Sequence, residues 1–145
     1  MRRALPLLAV LSLAFAPAPL PRKERTTDLE RLRGEWKLVS ITLQGAPQRW
    51  LPDAVIIEGD RIRYLLGGRA VSEWTLSLDA RSSPRRCVMR GMGVAREQEI
   101  AVGVYALHGD VLRLCYRYTI DGPPAEDFRS DGKGTWVEVL ERKSR

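Results

Sequence analysis

The side chains that could do chemistry in this 145-residue sequence are few, and their spacing argues against a catalytic set. The single histidine, His108, lies in a His-Gly-Asp turn with no second ligand at metal-binding spacing, which predicts a surface turn residue. One histidine and no Gly-x-Ser-x-Gly elbow leave a serine or cysteine hydrolase without its parts. Carboxylate pairs can be drawn between Asp60 and Asp110, or between Glu126 and Asp127. Glycoside hydrolysis needs two carboxyl groups facing each other across about 5–9 Å. The first pair reads instead as turn residues and the second as part of a solvated loop. Gly67-Gly68 and Gly91-Met92-Gly93 lack the strand-to-helix setting of a phosphate loop. The expectation is no catalytic, metal or cofactor residues, and a protein that is not an enzyme.

Two further groups carry reactive or recognising side chains. Arg85, Arg86, Arg90 and Arg96 cluster around one short predicted strand, either as a solvated face or as a patch for an anionic polysaccharide, lipid headgroup or acidic protein. Cys87 and Cys115 are the only cysteines. Cys115 shares its strand parity with Arg113 and Arg117, which predicts that it faces solvent. Two passive thiols, a disulfide, and a thiol activated by flanking guanidinium groups all remain open.

Composition sets the frame for these residues. The chain carries 24 basic and 18 acidic residues, a formal net charge of +6. That excess is too mild and scattered to predict nucleic-acid binding. Residues 1–21 read as a secretory signal: Arg2 and Arg3 lead, Leu5 to Phe15 is an apolar run interrupted only by Pro6 and Ser12, and Ala14, Ala16 and Ala18 offer small residues for cleavage. The apolar run is too short for an ordinary membrane-spanning helix. Export to the periplasm or medium is expected, with no transmembrane segment after cleavage. Residues 22–26 read as a Pro- and charge-rich linker, and 27–143 as a single domain.

The elements follow from periodicity. Thr27 with Glu30 is a capping-box pattern that starts a short N-terminal helix, and Gly34 stops it. Strands are predicted at Glu35 to Leu43, Ala54 to Glu58, Arg61 to Leu66, Val71 to Leu78, Cys87 to Met89, Glu99 to Leu107, Val111 to Tyr118 and Trp136 to Glu141. The first has apolar residues on both parities, so its inner face stays undecided. Gly59-Asp60 and Gly109-Asp110 each turn one apolar-alternating run into the next. In the second of these hairpins Leu112, Leu114, Tyr116 and Tyr118 share the apolar parity. About eight strands joined mostly by short turns favour an all-β antiparallel meander closed into a barrel, because closure removes unpaired edges.

Three stretches carry a family resemblance: LRGEWKLVS at Leu32 to Ser40, IIEGDRIRY at Ile56 to Tyr64 and GVYALHGDVLRLCY at Gly103 to Tyr116. With Phe128 and VEVLERK at Val137 to Lys143, they resemble a lipocalin-like domain family of uncharacterised exported planctomycete proteins. The resemblance spans about residues 28–143, and the chain departs from it around Cys87 to Arg96. It implies a calycin-like barrel and no specific activity. Gly34-Glu35-Trp36 also resembles the Gly-x-Trp signature of lipocalins, which implies a structural latch of Arg142 across the Trp36 ring.

An eight-stranded barrel has room for packed side chains or for one small ligand. Trp74, Leu76, Tyr105, Leu107, Leu112, Leu114, Tyr116 and Tyr118 are expected inside, where they either fill the barrel or line a pocket for a hydrophobic or amphipathic molecule. Ligand binding is the leading expectation. The alternative is a cell-envelope interaction module that uses the arginine cluster or the 119–134 loop.

Overall fold

A computed structural model describes residues 26–49, 51–92, 98–130 and 132–144. The expected signal peptide, the linker apart from Thr26, and Arg96 lie outside the described residues. One helical turn, α1 (Asp28–Leu32), leads into β1 (Gly34–Leu43), β2 (Ala46–Pro47), β3 (Ala54–Glu58), β4 (Arg61–Leu66), β5 (Arg69–Asp79), β6 (Arg86–Met92), β7 (Gln98–His108), β8 (Val111–Tyr118) and β9 (Thr135–Arg142). Each long strand pairs antiparallel with the next, and β9 returns to pair with β1 from Trp36↔Arg142 to Leu43↔Trp136. The result is a closed eight-stranded antiparallel barrel with β2 as one extra strand on the end of β1.

The undecided first strand is explained by a bulge. Between Leu38 and Ser40 the register of β1 against β9 shifts. An extra residue in one strand moves the side chains beyond it to the other face. Trp36 and Leu38 therefore point inward before the bulge and Ile41 after it, while Val39 is 43% exposed. The mixed parity of the sequence is one inner face interrupted once.

The two Gly-Asp hairpins lie at one end of the barrel, here the lower end, with Gly59 and Gly109 both at φ +58°. That end is solid. Leu32, Trp36, Val55, Ile57, Ile62, Leu76, Leu112, Leu114 and Leu140 are at most 1% exposed. Full burial of each such side chain contributes about 1.5–3 kcal/mol, so the packed layers are the main source of stability. The lower rim is shut by α1. Its capping box joins Thr27 and Glu30, and Asp28 Oδ2 accepts hydrogen bonds from Tyr105 Oη at 2.6 Å and from Arg85 at 2.8 Å. Burial pushes the Asp28 carboxyl up, but the Tyr105 hydrogen bond together with Arg85 and Arg31 outweighs it and holds the group below its usual range.

Trp36 and Arg142 meet at this closed end. The Arg142 guanidinium lies 4.3 Å from the Trp36 ring centroid, and Trp36 Nε1 donates to the Leu32 carbonyl. Arg142 also donates to the carbonyls of Arg31 and Arg33 and to Asp110. Gly34 makes room for this: it sits at φ +139°, and a Cβ there would lie 3.0 Å from Arg142 Nη1. A larger residue would meet both the backbone strain and the guanidinium.

Cys115 is a correction to the sequence reading. It is fully buried, because Ala125 and Phe128 of the connection between β8 and β9 lie over the outer face of β7, β8 and β9. Ala125 and Phe128 pack with Val104, Cys115 and Val137 into a small second core, and Ala125 N–H donates to the Val102 carbonyl. Arg113 lies over the Phe128 ring, and Arg117 donates to the Pro123 carbonyl in the loop and to Thr135 Oγ1 on β9. Cys87 belongs to the inner core, so the two thiols occupy different cores and are unpaired. Burial raises them to about 12 for Cys87 and about 11 for Cys115, against the activating effect expected from the neighbouring arginines.

Candidate functional site

The upper half of the barrel is hollow. A cavity of about 450 Å³ is lined by Leu38, Ile41, Gln48, Pro52, Tyr64, Ser72, Trp74, Met89, Glu99, Tyr116, Tyr118, Trp136 and Glu138. Its floor rests on the packed lower layers, and its lining at the upper end includes Gln48 and Pro52 from the connection between β1 and β3. A concave, mostly apolar pocket with a few convergent polar groups is the usual form of a small-molecule site.

The polar focus is Glu138. Along β9 the residues Trp136, Glu138, Leu140 and Arg142 share one parity, and Glu138 stands on it between a ring and a leucine. The carboxylate is 2% exposed. Tyr64 Oη donates to Oε2 at 2.7 Å from β4, and Tyr116 Oη donates to Oε1 at 2.6 Å from β8. A buried carboxylate keeps unused lone pairs beyond those two bonds, and they can accept from a third donor. Burial pushes the Glu138 carboxyl above its usual range, although both phenol hydrogen bonds pull it down. Burial followed by the Glu138 charge holds Tyr64 and Tyr116 well above the ordinary tyrosine value.

Above Glu138 the wall is aromatic. Tyr118 is its hub: its ring centroid lies 5.9 Å from Trp74, 5.8 Å from Tyr116 and 6.4 Å from Trp136. The contacts with Tyr116 and Trp136 are edge-to-face, a favourable arrangement of ring quadrupoles. Gly91 positions Trp74 from the neighbouring strand. The two are register partners, and a Cβ on Gly91 would lie 2.9 Å from the indole and 2.4 Å from the Glu73 carbonyl. Only a residue without a side chain lets the indole lie against β6 in this way.

Of the eight residues expected inside, Trp74, Tyr116 and Tyr118 line the cavity. Leu76, Tyr105, Leu112 and Leu114 are buried in the solid lower half, and Leu107 packs against that core half-buried. Height along the strand separates the two groups, and parity alone carries no height. Glu138, Tyr64, Trp136 and Glu99 were not singled out from the sequence. The signal for Glu138 was a carboxylate on an apolar parity, and for Tyr64 its alternation with Ile62. The carboxylates that come to one site are Glu99 and Glu138. Asp110 takes an ion pair with Arg142, and Asp127 holds Arg129 through both its backbone and its side chain.

The arginine cluster is divided. Arg85 is engaged by Asp28 at the lower rim, whereas Arg86 and Arg90 are exposed on the outer face of β6. His108 is exposed at its turn, and among the described residues no group of three or more His, Cys, Asp or Glu side chains could hold a metal ion. No helix among the described residues is long and apolar enough to cross a membrane. Comparison with protein-family models, with curated proteins and with solved structures yields no match.

Proposed function

We propose that this chain is an exported, lipocalin-like barrel that binds one small amphipathic molecule in its upper cavity. The observation that carries the reading is a hollow of about 450 Å³ above a solid floor, with one buried, hydrogen-bonded carboxylate at its base. An apolar body fits against Ile41, Met89 and the ring wall, and a polar end fits toward Glu138. The charged start and apolar run of residues 1–21 support export. The Gly-x-Trp start of β1 and the Arg142 contact with Trp36 support the lipocalin-like label.

The interaction-module alternative draws on Arg86 and Arg90, exposed together on β6. With Arg85 turned to Asp28, that surface offers less charge than the sequence suggested.

Titration with Nile red, a neutral apolar dye, tests the cavity reading. Saturable one-to-one binding with a blue-shifted emission is expected. Ser72→Trp, which places an indole in the cavity lining, is expected to weaken it at least about tenfold. Absence of saturable binding, or binding that Ser72→Trp leaves unchanged, overturns the reading.

A further inference from the structure

We infer that the ligand of the upper cavity is a hydrophobic organic cation, an amine or quaternary ammonium carried on an apolar body. This deepens the cavity-binding reading and rests on it. Four rings, Trp74, Tyr116, Tyr118 and Trp136, stand on the cavity wall within 5.8–6.4 Å of one another through Tyr118. Ring faces carry negative quadrupole potential, and aromatic side chains gathered around one space are the kind of lining that recognises alkylammonium groups.

Charge points the same way. The charged side chains lining the cavity are two carboxylates, Glu138 at its base and Glu99 from β7; among the described residues no lysine, arginine or histidine lines it. An anionic ligand such as a fatty-acid carboxylate would be desolvated beside two carboxyl groups with no basic partner, which is unfavourable. A cation entering the same space supplies the counter-charge that Glu138 lacks. Its present partners are the neutral phenols of Tyr64 and Tyr116, at 2.7 and 2.6 Å, and they leave acceptor capacity on both carboxylate oxygens. A neutral alcohol of equal length would gain the apolar contacts without the ring–cation and carboxylate–cation terms.

The size of the cavity sets the probes. A cavity of about 450 Å³ accommodates an eight-carbon chain with a trimethylammonium head. Isothermal titration of the full chain with octyltrimethylammonium, octanol and octanoate at neutral pH, below the micelle concentrations of the two ionic probes and the solubility limit of octanol, separates the possibilities. The expected order is the cation about tenfold tighter than octanol, with octanoate weakest. Glu138→Gln is expected to narrow the cation-to-octanol ratio by at least about threefold, and Glu99→Gln to narrow it in the same direction. Glu99 is only half-buried, so its variant keeps the test decisive if Glu138→Gln fails to fold. Octanol or octanoate binding as tightly as the cation overturns the cation assignment and leaves the cavity reading standing. A ratio that neither folded variant changes also overturns the assignment. If none of the three probes binds, and Nile red does not bind either, both fall together.

Discussion

Glu138 is the residue on which the site turns, and its environment makes a definite statement about stability. Burial dominates and raises its carboxyl, while the phenols of Tyr64 on β4 and Tyr116 on β8 partly offset that cost. Tyr118 and Cys87, also turned toward this interior, are raised first by burial, and the Glu138 charge adds to it. A carboxyl whose folded pKa lies above its unfolded value binds more protons in the folded state. The folded chain then gains stability as pH falls through the folded pKa, and the gain is complete below the unfolded value. Ionising the group in the folded chain is therefore a cost. Glu138→Gln removes that titration, so the stability of the native chain relative to this variant is predicted to rise as pH falls. Urea unfolding of both proteins across the acid range checks it. A difference that stays constant with pH would mean that Glu138 has no raised pKa.

At the scale of elements, the two ends of the barrel have separate tasks. The lower end is tied by Arg142, which joins β9 to the α1 turn through two carbonyls and to Trp36 through its ring. Arg142→Met removes a ring–cation contact of about 0.5–2 kcal/mol and leaves the carbonyls of Arg31 and Arg33 without this donor. We predict a loss of about 2–3 kcal/mol in unfolding free energy. Arg142→Lys should recover little, because one ammonium cannot serve the ring and both carbonyls in the guanidinium's plane. Nile red affinity should stay unchanged in both variants, since Arg142 lies at the end opposite the cavity. Denaturant unfolding beside dye titration checks both parts.

The elements also show what the sequence could and could not reveal. The hairpins at Gly59-Asp60 and Gly109-Asp110 were legible because turn residues sit between runs of clean period two. The inner face of β1 was not, because a bulge is an event between strands and leaves only a mixed parity in one of them. The burial of Cys115 was hidden for a related reason. Parity assigns a residue to the outer face, but Ala125 and Phe128 of the connection between β8 and β9 cover that face, and nothing local to Cys115 announces the cover. β2 was missed because a two-residue strand has no period to read.

For the whole molecule, closure was legible and hollowness was not. Eight alternating strands with short turns lead to a barrel, since the alternative leaves edges unpaired. Whether a barrel is full depends on how side chains from different strands add up at each height. In the lower layers the leucines, isoleucines and Trp36 meet and fill the space. Higher up, the bulge in β1 and the glycine at position 91 change the wall, and the large rings lie along it around a space of about 450 Å³. The site is therefore a property of the closed sheet and belongs to no single strand, which is why three of its rings were foreseen and its carboxylates were not.

The most direct test of this account is an intermolecular NOE measurement on the methyl-labelled protein saturated with Nile red. The account predicts contacts from the dye to the methyls of Ile41 and Met89 in the upper half, and none to those of Ile57, Leu112 or Leu140 in the solid lower half. Contacts confined to exposed methyls such as those of Val39, Val71 and Ile120, or spread through the lower layers, would contradict it.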